Sequence, residues 1–97
     1  MMATFYFTEQ AEKDLEAIID FTVQRWGVAQ SHNYIDDVEA LAKILADNPL
    51  LGTERDELSQ GLRSFPYQSH LLFYVLQKDG IAIVRVLHMS VDVMRYF

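Results

Sequence analysis

The sequence of 97 residues contains no cysteine, only four glycines and only two prolines. Without cysteine the chain can form no disulfide framework and offers no thiolate to bind a metal or attack a substrate. The glycines stand singly, so no glycine-rich loop is available to hold a phosphate group. The first residues carry no positive charge, and no apolar run reaches the length of a signal-peptide core or a membrane span. We therefore expect a cytoplasmic protein without a membrane segment.

Basic residues are scarce as well. Eight lysines and arginines stand against fourteen aspartates and glutamates, which gives a formal net charge of −6. Because a protein that binds nucleic acid needs concentrated positive charge, we expect no direct sequence-specific binding to nucleic acid. The three histidines, His32, His70 and His88, fall in three different predicted elements and show no metal-ligand spacing. We expect neither a metal site nor a cofactor.

Apolar residues, by contrast, make up 51% of the chain, so the protein can bury a core of its own. The length corresponds to a single domain covering residues 1–97. Residues 3–7 form a short aromatic run typical of a β-strand. Thr8 then offers a helix N-cap, and Gly27 is placed to end that helix. The apolar face between them recurs at steps of three and four residues and consists of Ala11, Leu15, Ile18, Ile19, Thr22 and Trp26.

A second amphipathic helix follows almost at once. It stops at Asp47-Asn48-Pro49, because proline cannot continue the helical hydrogen bonds. Two helices joined by so short a connection are expected to pack as an antiparallel hairpin. Residues 49–56 are predicted to form a loop. The apolar stripe of the second helix consists of Ile35, Val38, Leu41, Ala42 and Leu45.

In the C-terminal half the hydrophobic period changes from 3.6 to 2, which predicts β-strands. The predicted strands cover residues 61–65, 70–76 and 81–88. The turns between them lie at residues 66–69 and 78–80, and the second turn places Asp-Gly where positive φ is tolerated. These strands form a three-stranded antiparallel β-meander. Together with the N-terminal strand and the helical hairpin, the meander predicts an α+β fold.

The third strand of the meander is apolar on both faces, which favours a central position in the sheet. Strict alternation assigns its residues to two faces, namely Ile81, Ile83, Arg85 and Leu87 on one and Ala82, Val84, Val86 and His88 on the other. The last nine residues are consistent with either a short helix or an extended tail. An apolar tail of this kind docks either on its own domain or on a partner.

Arg63 and Arg85 are the most informative charged residues. Each lies within an apolar strand, where a guanidinium group must be paired or must face a working surface. One interpretation is an internal ion pair with Glu57 or Asp92. The other is contact with an anion or a partner on the open face of the sheet. His88 follows Arg85 at the end of the same strand and is the histidine most typical of a site, although the pattern favours a hydrogen-bonded histidine at a strand end.

Three blocks of this sequence resemble the ParE toxins of bacterial type II toxin–antitoxin systems. They are R-D-E-L-S-Q-G-L-R-S-F-P-Y at residues 55–67, L-F-Y at residues 72–74 and I-A-I-V-R-V-L-H at residues 81–88. The first helix also agrees, through Thr8, Ala11, Asp14 and Leu15 in the pattern T-x-x-A-x-x-D-L. After His88 the family usually has glycine and a short arginine–aspartate stretch, of which only Asp92 remains here. The resemblance covers essentially the whole chain and implies a RelE/ParE-like fold.

The related RelE-like toxins share that fold but cut messenger RNA on the ribosome. Their nuclease site needs lysines just before the strand that carries the first shared arginine. This sequence has Glu54, Asp56 and Glu57 in that region, and carboxylates would repel a phosphate rather than stabilise its transition state. The resemblance therefore implies a non-enzymatic inhibitor of DNA gyrase. Two alternatives stay open: a ribosome-dependent endoribonuclease, and a binding module on the same fold that has lost toxicity.

The resemblance also implies a partner, a ParD-like antitoxin that wraps the toxin in a hetero-oligomer. As contacts with the target or the antitoxin we expect Arg63, Arg85 and His88, together with the tail residues Asp92, Met94, Arg95, Tyr96 and Phe97. For the apolar groove that receives the antitoxin we expect Trp26, Leu45 and Phe73.

Overall fold

The computed structural model describes residues 3–97, so the expectation drawn from Met1 and Met2 lies outside the described residues. The elements follow the predicted order. They are β1 (Thr4–Phe7), α1 (Glu9–Trp26), α2 (Val28–Asp47), β2 (Thr53–Glu54), β3 (Leu62–Tyr67), β4 (His70–Gln77), β5 (Gly80–His88) and a C-terminal 3-10 helix (Val93–Tyr96). The predicted α+β class is confirmed. No helix among residues 3–97 is long and apolar enough to span a membrane.

The helical hairpin begins and ends where the sequence indicates. The Thr8 side chain accepts a hydrogen bond from the Ala11 N–H at 3.2 Å and caps α1. Gly27, with φ of 93°, ends α1, and α2 starts at the next residue. Glycine is suited to this junction because positive φ is strained for residues with a Cβ. Asn48 ends α2 just before Pro49.

The sheet contains five strands in the order β1-β5-β4-β3-β2. Strands β3, β4 and β5 form the predicted antiparallel meander, and β1 pairs with β5 in parallel. As expected, β5 is an interior strand, although β4 occupies the middle position. Strand β2 lies in the segment predicted as a loop and pairs with β3 through only two residues. A strand of two residues is too short to show the alternation of apolar and polar residues from which strands are predicted.

Gly80, at the start of β5, does not have the positive φ that the Asp-Gly sequence predicts. Within residues 3–97 the only glycines with positive φ are Gly27 and Gly61, so Gly80 is not used for a left-handed backbone. Gly80 instead lies against the backbone of Thr4 in β1, where any Cβ would collide with the Thr4 carbonyl. Glycine at this position therefore permits the close approach of β1 to β5.

Both faces of the sheet are covered. The main core lies between the hairpin and the sheet, and its largest buried members are Tyr34, Val38, Leu45, Leu72, Tyr74, Ile81 and Ile83. A smaller cluster of Leu62, Phe73 and Leu87 lies on the other face beneath Leu58, Val91 and Val93. The C-terminal tail thus docks on its own sheet, and Phe97 packs on Phe73 with ring centroids 4.9 Å apart.

Candidate functional site: paired arginines, a tail and an apolar groove

Arg85 is held by Asp14, a residue of α1. Its Nε and Nη2 donate to the two carboxylate oxygens of Asp14, each at 2.8 Å, and the Val86 N–H donates to the same carboxylate at 3.0 Å. The pair is largely buried, with side-chain exposures of 16% for Arg85 and 10% for Asp14. The hydrogen bonds to Asp14 raise the pKa of the Arg85 guanidinium above its ordinary value. The interpretation as an internal ion pair is correct for Arg85, but the partner is neither Glu57 nor Asp92.

The partner is Asp14 because β1 is shorter than β5. Strand β1 ends at Phe7, opposite Ile83, so the rest of that edge of β5 has no neighbouring strand. Thr8, the N-cap of α1, and Asp14 within α1 contact this edge. The Thr8 N–H donates to the Ile83 carbonyl at 2.9 Å, and the Thr8 hydroxyl donates to the Val84 carbonyl at 3.2 Å. Further along the same edge, the Asp14 carboxylate accepts a hydrogen bond from the Val86 N–H.

A β-bulge in β5 accompanies this arrangement. Phe73 of β4 pairs with Arg85 and Tyr74 pairs with Ile83, so Val84 is an extra residue without a partner in β4. The bulge shifts the alternation of side chains along β5. Ile83 and Val86 both belong to the core beneath the helices, whereas strict alternation would place them on opposite faces. The faces predicted for β5 are therefore wrong beyond Val84.

Arg63 makes a separate set of contacts. Its Nη1 donates to the Gly52 carbonyl at 2.7 Å and to the Leu50 carbonyl at 3.3 Å, and its Nη2 donates to Glu54 at 3.1 Å. Arg63 thus fastens the loop between α2 and β2, and it pairs with neither Glu57 nor Asp92. Arg63 and Arg85 do not share a site, because one binds this loop and the other binds α1.

A third arginine, Arg55, shapes the same end of the sheet. Its Nε pairs with Glu57 at 2.9 Å, and its Nη1 donates to the Ser64 hydroxyl at 3.2 Å. Its guanidinium also lies 5.5 Å from the centre of the Phe73 ring. Arg55, Arg63 and Arg85 each have a carboxylate partner, so none of the three presents an unpaired positive charge to a phosphate.

The tail combines internal anchors with exposed apolar side chains. Asp92 caps the 3-10 helix by accepting the Met94 N–H at 3.2 Å. Tyr96 lies under the Arg85 guanidinium, 4.8 Å from ring centre to the guanidinium carbon. Met94 points outward with 70% of its surface exposed. Arg95 occupies the last turn of this helix, between Met94 and Tyr96.

An apolar groove of about 800 Å³ lies between the helical hairpin and one end of the meander. Its lining consists of Ala17, Ile18, Phe21, Thr22, Trp26, Gln30, Tyr34, Gln68, Ser69, His70 and His88. The predicted groove residue Trp26 is present at the rim, with 67% of its surface exposed. His88 also lines this groove and does not join the arginines.

The other two residues predicted for the groove are buried elsewhere, so these predictions are wrong for the free chain. Leu45 is completely buried in the main core, and Phe73 is completely buried beneath Phe97 on the opposite face of the sheet. An apolar stripe at helical spacing does not distinguish a core position from an open groove. Tyr34 and His70 were not predicted, although Tyr34 lies four residues before Val38 and so shares the face of the α2 stripe.

The floor of the groove is aromatic and polar. His70 and His88 are cross-strand partners with ring centres 5.3 Å apart, and the Ser90 N–H donates to His88 Nδ1 at 3.0 Å. Burial lowers the pKa of His70 below its ordinary value of 6.5, and the neighbouring His88 adds to this. Tyr34 packs edge-on against His70 with ring centres 5.8 Å apart, and burial raises its pKa. Nowhere in residues 3–97 do three histidine, aspartate or glutamate side chains group as a metal site.

The protein is a small α+β domain in which the Asp14–Arg85 pair joins the helical hairpin to the meander. An apolar groove lies between the hairpin and the meander, and the strand arginines make their contacts within the chain. A family model described as the ParE toxin of type II toxin–antitoxin system, parDE, matches residues 5–93. The chain therefore belongs to the ParE toxin family.

Curated relatives and a solved structure agree with this assignment. The chain is 38% identical to Toxin ParE1 of Mycobacterium tuberculosis (strain CDC 1551 / Oshkosh), over 98% of each chain. It is 32% identical to Toxin ParE1 of Caulobacter vibrioides, over 94% of each chain. A chain of the chromosomal ParDE TA system from P. aeruginosa superposes with a TM-score of 0.75 at 22% identity, over 90% of this chain and 96% of that one. This last likeness supports the fold.

Proposed function

We propose that this protein is a toxin that inhibits DNA gyrase by binding, without catalysing a reaction, and that a ParD-like antitoxin neutralises it. The family supports the toxin role, and the name of the P. aeruginosa system supports an antitoxin partner. The observation that carries the non-enzymatic part is the pairing of the arginines. The nearest carboxylates to Arg55, Arg63 and Arg85 are Glu57, Glu54 and Asp14, and each forms an ion pair with its arginine.

This pairing disfavours the ribonuclease alternative. A phosphoryl-transfer site needs positive groups placed in advance around the developing charge. Here Arg63 already donates to two carbonyl oxygens and one carboxylate, and the buried Arg85 is neutralised by Asp14. Freeing Arg85 for RNA would leave the buried Asp14 carboxylate unpaired, and freeing Arg63 would break its hydrogen bonds to the Leu50 and Gly52 carbonyls. A binding role requires no such rearrangement.

The tail is the surface that we assign to the gyrase contact. Met94 is exposed and lies beside Arg95, while Tyr96 and Phe97 are anchored by Arg85 and Phe73. Anchored aromatic residues next to an exposed apolar side chain resemble the composition of protein interfaces. The groove around Trp26 and His88 is the surface that we assign to the antitoxin. Each of these two surfaces contains more than one apolar side chain.

The tail assignment is tested by a matched pair of substitutions in a gyrase supercoiling reaction. Met94→Glu places a charge in the proposed contact, whereas Leu51→Glu places the same charge on an exposed leucine in the α2–β2 loop. We expect Met94→Glu to raise the concentration for half-inhibition about tenfold or more, as loss of an interface anchor does. Leu51→Glu should inhibit as the unaltered protein does. Equal inhibition by both variants would remove the tail from the target contact.

A further inference from the structure

The His88 side chain is bonded to the turn that leads from β5 into the C-terminal tail. The Ser90 N–H donates to His88 Nδ1 at 3.0 Å, and the Ser90 hydroxyl lies 2.7 Å from the same nitrogen. Because a backbone N–H can only donate, Nδ1 accepts this bond, and the ring is neutral with its proton on Nε2. The turn therefore depends on the unprotonated form of one histidine.

The Ser90 hydroxyl offers the protonated ring a different partner. Both nitrogens of a charged imidazole are donors, so Nδ1 can then no longer accept the Ser90 N–H. A hydroxyl oxygen accepts as well as donates, and the Ser90 hydroxyl already lies within hydrogen-bond distance of Nδ1. Protonation of His88 thus exchanges a bond that fixes the backbone for a bond to a side chain that rotates. Such a pair of alternative bonds is the basis of a protonation switch.

The backbone on either side of Ser90 is anchored, so a change at Ser90 alters how the tail leaves β5. The Met89 N–H donates to the Ser69 carbonyl at 2.8 Å, and the Val91 N–H donates to the His88 carbonyl at 3.2 Å. The Val91 side chain also packs on the small cluster that lies beneath the tail. The bond from Ser90 to the His88 ring lies between these two anchors and helps to fix the direction of the tail.

The titratable group that faces His88 from β4 is His70, and the two rings differ in exposure. Their centres are 5.3 Å apart, but His70 is half-buried whereas His88 is exposed. Burial and the neighbouring His88 lower the pKa of His70. Two positive charges at this distance also repel each other. A proton that reaches the pair is therefore held on the exposed ring, which is the ring bonded to Ser90.

Other charged groups do not neutralise a charge on His88. Within the described residues 3–97, the groove lining around His88 includes no lysine, arginine, aspartate or glutamate. The helices contribute one titratable group to that lining, Tyr34 of α2. The charged residues nearest to His88 along the chain are already engaged, Arg85 with Asp14 and Asp92 with the N–H that it caps. The charge of the ring therefore follows the pH of the solution, in the range where histidine ordinarily titrates.

We propose that His88 is a pH-sensitive switch for the C-terminal tail, which the neutral ring holds through Ser90 and the protonated ring loosens. Acidification then weakens the contact of the tail with gyrase. The effect on gyrase rests on the proposed function, because the tail is the surface assigned to that contact. The exchange of bonds at Ser90 is a property of the chain alone and is measured without gyrase.

The first experiment follows the full-length chain by NMR as the pH is lowered from 8 to 5. Nitrogen-15 shifts of the imidazole report which ring nitrogen of His88 carries the proton, and we expect the Nε2–H form at pH 8. The Ser90 amide and the Phe97 ring, which packs on Phe73 at the far end of the tail, should shift with the same midpoint as the His88 ring. A Ser90 amide or a Phe97 ring that does not follow His88 would overturn the inference.

The second experiment measures the ratio of the half-inhibition concentrations for gyrase at pH 6.0 and pH 7.5. One hydrogen bond of average net strength changes an equilibrium constant about fivefold, so the unaltered protein should give a ratio of about five. His88→Asn keeps an acceptor in place of Nδ1 but takes up no proton, so its ratio should be close to one. His32→Asn, at an exposed histidine of α2, should keep the ratio of the unaltered protein. Comparing variants with the same gyrase removes any pH dependence of the enzyme itself.

The remaining outcomes separate the switch from the proposed function. Equal ratios for His88→Asn and the unaltered protein would overturn the inference. A pH dependence that is lost in His70→Gln and kept in His88→Asn would assign it to His70 and would contradict the inference as well. If the protein inhibits gyrase at neither pH, the gyrase contact is wrong, and the NMR titration still decides whether His88 controls the tail.

Discussion

Asp14 of α1 and Arg85 of β5 lie 71 residues apart in sequence and form a bidentate ion pair with both contacts at 2.8 Å. The same carboxylate accepts the Val86 N–H on the edge of β5 that β1 leaves free. This one side chain therefore joins the helical hairpin to the sheet, fixes the strand edge and neutralises the arginine.

Removing this carboxylate should strongly destabilise the protein. Asp14→Ala leaves a mostly buried guanidinium and a strand N–H without partners, so we expect the free energy of unfolding to fall by about 3 kcal/mol. Urea denaturation measures the change. Lys13→Ala is the matched control, because Lys13 forms only an exposed pair with Glu9 at 3.6 Å and should contribute less than about 1 kcal/mol. Equal losses in the two variants would show that the Asp14–Arg85 pair does not join the layers.

The docked C-terminus should stabilise the small cluster on the outer face of the sheet. Phe97→Ala uncovers the Phe73 ring, so we expect a loss of about 1–2 kcal/mol and increased binding of an apolar dye. Met94→Ala, on an exposed side chain of the same tail, should change the free energy of unfolding by less than about 0.5 kcal/mol. An unchanged melting temperature in Phe97→Ala would mean that the tail does not dock in solution.

The environment of His70 predicts a dependence of stability on pH. Its pKa is lowered in the folded protein, first by burial and then by His88, so below pH 6.5 the unfolded chain binds a proton that the folded chain does not. Stability is therefore fully present above pH 6.5 and is lost as the pH falls toward the lower, folded pKa. Denaturation at pH 7.5 and pH 5.5 measures the difference. His70→Gln should reduce it, whereas His32→Gln, on the exposed side of α2, should not.

The order of elements and the meander could be predicted because local signals specify them. Thr8, Gly27 and Pro49 mark the helix ends, and the change of period marks the strands. The contacts that define the site depend on geometry that is not local. The Asp14–Arg85 pair requires that β1 be shorter than β5, and the bulge at Val84 has no marker in the sequence.

Burial explains the errors in the groove prediction. Leu45 and Trp26 lie on similar apolar stripes, yet Leu45 is completely buried and Trp26 is mostly exposed. Leu45 packs in the main core, whereas Trp26 lines the groove. The rings of Tyr34 and His70 come into contact only after α2 packs against β4, so no spacing in the sequence indicates the pair.

The proposed non-enzymatic inhibition of gyrase is tested most directly by a titration of purified gyrase with this protein, with supercoiled DNA product as the readout. We expect inhibition that saturates only when the toxin approaches or exceeds the gyrase in molar amount, because a toxin that acts by binding does not turn over. Added antitoxin should restore supercoiling at a one-to-one ratio to the toxin. Full supercoiling at a large molar excess of toxin, together with messenger RNA cleavage that Arg63→Ala or Arg85→Ala abolishes, would contradict this function and identify a ribonuclease.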